Sequence, residues 1–204
     1  MSRTIEEVMQ NAVTTYLGMP LLIDFGTEAN SYNDADEVGK VLWRCVNDVV
    51  EKAFRMYPWS FARQDGVIEG TRVENPSREH FAHYATIPFE NYICIQAAFY
   101  DPRHWAKCFD WKQFGTTTIK FAPAKLYVEY TENVDPEYWP AYFVDYVACA
   151  IAVESCTPLR LESKLPILLQ QLSNVYLDAR KQDSMSEPAP ASFDNIIDEA
   201  RNML

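Results

Sequence analysis

Apolar residues recur at helical spacing near the start of the chain, at Ile5, Val8, Met9, Ala12, Val13, Tyr16 and Leu17. A repeat of three and four places them on one stripe of a helix. The pattern predicts a helix from about Thr4 to Leu17. Thr4, with Glu7 three residues on, has the form of a capping box. Gly18 and Pro20 stop the pattern. The polar run IDFGTEANSYND follows as a loop. A second stripe starts near Asp34 or Asp36 and takes in Val38, Val41, Leu42, Cys45, Val46, Val49, Val50, Ala53, Phe54 and Tyr57. Pro58 ends it, because the residue before a proline is pushed out of the helical region.

From Trp59 to about Tyr130 the period changes. WSFARQDGVIEGTRVEN alternates weakly, and IPFENYICIQAAFYD and TTTIKFAPAKLYVEYTEN are rich in β-branched and aromatic residues. These runs predict three to five strands, around Val67, Ile93, Ile119 and Tyr127. DPRHWAKCFDWKQFG reads as a loop or hairpin arm. Its aromatics Trp105, Phe109 and Trp111, with Phe114, fit either a partner interface or a β-domain core.

Helical pattern returns in VDPEYWPAYFVDYVACAIAVESC. Asp135 as N-cap, Pro136 at the first helical position and Glu137 near the positive helix end predict a helix start there. From Tyr138 to Cys156 only Asp145 and Glu154 are charged, so this helix is expected to be central. Asp145 is expected to bond a buried partner. Ser163 is a candidate cap for a last long helix from about Lys164 to Lys181, on the order of 27 Å long. QDSMSEPAPASFDN shifts to Ser, Pro, Ala and acids and reads as an extended linker. Phe193, Ile196, Ile197, Ala200 and Leu204 then line one face of a segment too short to be a stable helix alone. They are the candidate partner-docking residues.

The expected fold class is α+β, mainly α. Residues 1–58 and 135–183 form a bundle of long helices, 59–134 a β-rich insertion, and 184–204 an extended C-terminal tail. Pro58, Trp59 and Phe61 mark the corner where the chain leaves the bundle, and Asp135 and Pro136 mark its return. At such a corner a large ring can cover the bundle end.

Composition narrows the function. The 204 residues are 48% apolar and 14% aromatic, which suits one domain or one core with a sizeable insertion. A formal net charge of −11 argues against a DNA-binding surface that neutralises phosphates. It is compatible with a wall along which DNA slides without sticking. Five cysteines without a CxxC read as reduced, buried thiols. The N-terminus has no apolar stretch of signal-peptide length, and no window approaches the ~18 apolar residues of a membrane span. The expectation is a soluble protein with no membrane partner.

No phosphate-binding, dinucleotide, zincin, nucleophile-elbow or EF-hand motif occurs. His80, His83, His104 and Cys108 have spacings that suit zinc on a helix, but they fall in regions read as loop and strand. No metal site is expected, and no cofactor. The acid groups Glu6-Glu7, Asp34/Asp36/Glu37 and Asp198-Glu199 are expected on solvated helix faces and first turns. No catalytic residue is assigned.

The order of these pieces resembles one family. NAVTTYLGMPLLIDF is similar to the opening of podophage tail tubular protein A, the head-to-tail adaptor. VVEKAFRMYPWSFARQ resembles that family's helix ending in Pro-Trp-aromatic-Ala, and YATIPFENYICI its Tyr-x-x-Pro strand entry. LYVEYTENVDPEYWPAYFVDYVACAIAVESCTPL resembles its Tyr-rich strand, Asp-Pro helix start, small-residue helix and Pro-Leu end. NVYLDARKQDSMSEP is similar to its closing helix. The matches run from about Asn11 to Pro188. Ser60 departs from the pattern, since Asn is common there, and DPRHWAKCFDWKQFG lies outside it.

The resemblance implies a non-enzymatic virion protein of the tail or neck, assembled in the host bacterial cytoplasm. It implies a twelve-subunit ring under the portal protein that holds a tail nozzle of the tail tubular protein B kind. Tail fibres are a further partner in this picture, and DNA passes through the central channel without specific binding. Two other readings stand beside it. One is a head-completion or neck connector protein of another tail type. The other is a small soluble enzyme or regulatory domain.

Overall fold

Thr4 opens the first helix as expected. Its hydroxyl accepts the Glu7 N–H at 3.4 Å, and the Glu7 carboxylate accepts the Thr4 N–H at 3.4 Å. The structure, a computed structural model, describes residues 4–19, 23–25, 35–73, 81–103 and 106–186. Helix α1 covers Ile5–Asn11 and then widens into a π-helical turn, Ala12–Tyr16. The widening has a local cause. The Thr14 hydroxyl donates to Gln10 O at 2.9 Å, and the Thr15 hydroxyl to Asn11 Oδ1 at 2.6 Å. The first of these bonds takes a backbone carbonyl of the preceding turn and so competes with the helical ladder. Gly18, in the left-handed region at φ 61°, ends the segment.

Helix α2, Glu37–Met56, is capped by Asp36, whose carboxylate accepts the Gly39 N–H at 2.6 Å. Its apolar stripe buries Leu42, Val46, Val49, Ala53 and Phe54. Tyr57 turns to extended backbone, with ψ 141°, just before Pro58, as the proline rule requires.

The chain then leaves the helices through a 3₁₀ turn, Ser60–Ala62, and the described residues that follow form seven strands rather than three to five. They are β1 Arg63–Glu69, β2 Thr71–Arg72, β3 His83–Thr86, β4 Tyr92–Phe99, β5 Trp111–Phe114, β6 Thr118–Phe121 and β7 Lys125–Glu132. Three of the additional strands, β2, β3 and β5, have two to four residues, too few for an alternating pattern to stand out. One sheet has the order β1-β7-β4 and the other β2-β3-β6-β5, with every described pairing antiparallel.

Gly70 is the crossing point between the two sheets. A Cβ there would stand 2.6 Å from the His83 Cβ and 2.7 Å from the Phe121 ring, so only glycine admits so close an approach. The strands enclose their own apolar cluster around Ile68, Ile119, Phe121, Leu126 and Val128.

The return to the helices differs from the expected start at Asp135 and Pro136. Pro136–Tyr138 is a single 3₁₀ turn, and the Asp135 side chain makes no capping bond there. The helix proper, α3, is Ala141–Ser155 with Pro140 as its N-cap. Pro140 supplies no N–H and holds Trp139 extended, so a helix begun at Pro136 cannot continue through it. Helix α3 buries Phe143, Val144, Tyr146, Val147, Ala148, Cys149, Ile151 and Ala152, and is the central helix. Asp145, by contrast, is exposed and has no buried partner role.

The turn Glu162–Lys164 leads into α4, Leu165–Ser186, so Ser163 lies inside the turn and is not the cap. The Lys164 ammonium donates to Leu17 O and ties this turn to the end of the first helical segment. Helix α4 runs five residues past the expected end at Lys181, and Ser184–Ser186 belong to it rather than to a tail. The candidate docking residues Phe193, Ile196, Ile197 and Leu204 lie outside the described residues.

The helices share one apolar core, with Met9, Leu42, Phe54, Trp59, Phe143 and Ile151 at its heart. The architecture is mixed α+β, with helices from both ends of the chain packed together and the strands between them in sequence.

Candidate functional site: the corner between helices and sheets

Trp59 is fully buried, at 0% exposure. Its ring lies among aromatics from two helices and from the residue that follows α2: Tyr57 at 4.9 Å, Phe143 at 5.1 Å, Tyr146 at 5.8 Å and Tyr176 at 6.5 Å between centroids. The indole N–H donates to Ala53 O at 2.9 Å. That carbonyl lies in the last turn of α2, where intrahelical donors run out. The expected ring at the corner is therefore also a cap on the helix it follows. Phe61 is half-buried and packs on Phe143 at 5.0 Å and Phe54 at 6.1 Å, while Pro58 is exposed.

A second tryptophan stands at the return crossing, where it bonds a loop carbonyl rather than a helix end. Trp139 donates its indole N–H to Val134 O at 2.6 Å and stands edge-on to Phe143 at 5.1 Å. The sequence reading gave Trp139 no role, although the pair Trp139-Pro140 has the signal: an aromatic held extended by a following proline.

The corner also holds a carboxylate that sequence reasoning missed. Asp183 is 1% exposed. Its two oxygens accept the Ser60 N–H at 3.0 and 3.1 Å, and one of them also accepts the Ser60 hydroxyl at 2.8 Å and the Tyr142 hydroxyl at 2.7 Å. A buried charge is tolerated only with such a set of donors. Burial, and then the bond to Asp183 and its negative charge, push the Tyr142 phenol well above the usual tyrosine range. Asp183 sits in a polar run that reads as a linker, so nothing in its neighbours points to burial.

The candidate interface aromatics divide. Phe109 is 82% exposed. Trp111 is half-buried against the β cluster, which favours the core alternative for it. Trp105 lies outside the described residues. The arm that presents Phe109 is tied down beside it: Cys108 N–H donates to Ala98 O at 2.7 Å, Tyr100 N–H to Ala106 O at 2.9 Å, and the Tyr100 hydroxyl to Asp110 at 2.9 Å.

Of the candidate metal residues, His80 and His104 lie outside the described residues. The His83 ring nitrogen is 3.0 Å from Ala122 O, and Cys108 is buried in the β cluster. Among the described residues no group of three or more His, Cys, Asp or Glu is placed to hold a metal ion. Of the acid groups, Asp36 caps α2, and Glu37 pairs with Lys40 at 3.3 Å. Asp34, Asp198 and Glu199 lie outside the described residues.

A cleft of about 340 Å³ opens where the helices meet the strands. Ile5, Val46, Val50, Ile93 and Trp139 form its apolar wall, with Glu51 and Asp135 also in its lining. The titratable side chains among its described lining residues are the carboxylates of Glu51 and Asp135. Among the described residues no helix is long and apolar enough to cross a membrane. Compared with known protein families and with curated proteins, the chain matches no family model and no curated sequence.

Proposed function

We propose that this chain is a structural, non-enzymatic virion protein, a head-to-tail adaptor that forms a ring between a portal protein and a tail nozzle. The order of sequence features from Asn11 to Pro188 supplies the reading. The observation that best supports it is the corner. Helices and strands have separate apolar clusters, and the chain passes between them at two crossings, each closed by a buried tryptophan. An element that must hold one partner above and another below needs two packed units joined at a set angle. Trp59 and Trp139, one at each crossing, both pack on the Phe143 ring within the helical cluster.

In this reading copies meet head to tail through heterologous contacts and close into a ring of twelve. The acidic balance of −11 suits a channel wall that passes DNA without holding it. Phe109 is offered to a partner at the end of the β arm, and tail fibres are a further candidate for the outer surface. The site of action is the neck of the virion.

Electron microscopy of the purified protein mixed with its portal tests the reading. A closed cyclic ring seated on the portal is the expected result. A stable two-fold dimer that ignores the portal, or a bare portal beside free monomer, overturns it.

A further inference from the structure

Ala179 is the last apolar residue that α4 buries. Beyond it, Arg180, Lys181, Gln182, Ser184, Met185 and Ser186 are all exposed, and Asp183 alone is buried. A helix end with no buried apolar side chain has little to stop it fraying. Yet these last two turns grip the corner at two points. The Arg180 guanidinium lies over the Tyr57 ring at 4.9 Å and the Tyr176 ring at 5.5 Å. The Asp183 carboxylate takes the Ser60 N–H, the Ser60 hydroxyl and the Tyr142 hydroxyl.

The spacing is matched on the two sides. Arg180 and Asp183 are three apart on one face of α4. Tyr57 and Ser60 are three apart, and Pro58 and Trp59 lie between them. The helix end therefore holds the residues immediately before and after the bend. Both holds are polar or cationic, so water can replace them, unlike the apolar packing that fixes α2 against α3. Opposite Asp183 stand two hydroxyls and one backbone N–H.

We propose that this grip is a latch: the seating of the Pro58–Trp59 bend and the order of the last two turns of α4 are one equilibrium. A partner that shifts the bend loosens the helix end, and a partner that holds the helix end stiffens the bend. The two effects are equal in free energy, because linkage is reciprocal. The device would let an event at the strands be felt at residue 186, where the chain continues. It stands on the grip itself and does not rest on the adaptor reading.

Hydrogen exchange of the full-length chain tests it. Ser60→Ala removes one of the bonds to Asp183 from the far side. It is expected to speed exchange of the amides at 182–186 about tenfold, and to leave the α3 amides at 146–152 unchanged. Asp183→Asn removes the charge and replaces one of the two oxygens that share the Ser60 N–H by an NH₂ donor. It is expected to speed exchange at Ala62 and Arg63 by a similar factor. Tyr142→Phe removes a single donor and gives the same pattern more weakly, which serves if Asp183→Asn fails to fold. Faster exchange confined to the segment that carries each substitution, or no change at 182–186 in Ser60→Ala, overturns the latch.

Discussion

Trp59 and Trp139 stand on the same phenylalanine. Each ring lies 5.1 Å from that of Phe143, and each indole donates to a carbonyl just upstream in its own chain. One tryptophan closes the exit from the helices and the other closes the return. Removing either opens a large cavity at the centre of the aromatic cluster. Trp59→Ala is expected to cost about 3–5 kcal/mol, as truncations of buried large aromatics do. Trp59→Phe is expected to cost less, since it keeps most of the ring but leaves Ala53 O without its donor. Urea unfolding of both variants checks this. An unchanged midpoint in Trp59→Ala would mean that the corner is held elsewhere.

The β unit has its own weak point at Gly70. An added methyl group would meet the His83 Cβ and the fully buried Phe121 ring at well under contact distance. Phe121 has no free space to retreat into, so the strands themselves must move. Gly70→Ala is expected to destabilise by about 1–3 kcal/mol, the range for overpacking a closed site. Near-ultraviolet circular dichroism and thermal melting would register the loss. A variant as stable as the parent would show that the two sheets slide apart freely at this crossing.

The legible parts of the fold were those written in short-range rules. The Thr4 and Glu7 cap, the apolar stripe of α2 and its stop at Pro58 all depend on neighbours within four residues, and all stand as read. The errors have the same origin. Asp135, Pro136 and Glu137 form a good helix start locally, but Pro140 four residues later vetoes it. Asp183 lies among Gln182, Ser184 and Ser186, and only the fold brings Ser60, 123 positions away, to its side. Asp145 is the converse case. It sits within an apolar run, yet α3 turns this position to solvent. Partner surfaces were least legible, because an exposed aromatic such as Phe109 and a half-buried one such as Trp111 look alike in sequence.

Stability is expected to fall at alkaline pH. Burial pushes the Tyr16 phenol up to about 12, with the nearby Cys149 and Asp145 adding to it. Burial, with Tyr176 and Cys149 adding, pushes Tyr146 up to about 12 as well. Below pH 10 the folded and unfolded chains both keep these protons, and pH has no leverage through them. Between about 10 and 12 the unfolded chain releases them and the folded chain does not. The unfolded state then binds fewer protons, so unfolding becomes easier as pH rises. Burial also raises the Cys149 thiol to about 11, so urea midpoints measured from pH 8 to 11.5 should begin to fall above about pH 9 and fall more steeply above about pH 10. Tyr146→Phe should make that drop shallower, and an equal drop in the variant would remove Tyr146 as a contributor.

Phe109 gives the sharpest test of the proposed role. Its ring is 82% exposed, next to the buried Cys108, on an arm held by the Tyr100–Asp110 bond. An apolar ring held out in water gains nothing for the monomer, whereas burying it in a partner removes most of its surface from water. Phe109→Ser is therefore expected to leave the melting temperature unchanged, within the ±0.5 kcal/mol usual for exposed positions. It should lower binding to whichever partner covers the β arm. Surface plasmon resonance against purified nozzle and against purified portal separates the two candidates. A tenfold loss toward one and none toward the other assigns the arm to that partner. Unchanged binding to both would show that Phe109 belongs to no interface, and the β arm would then lose its place in the adaptor reading.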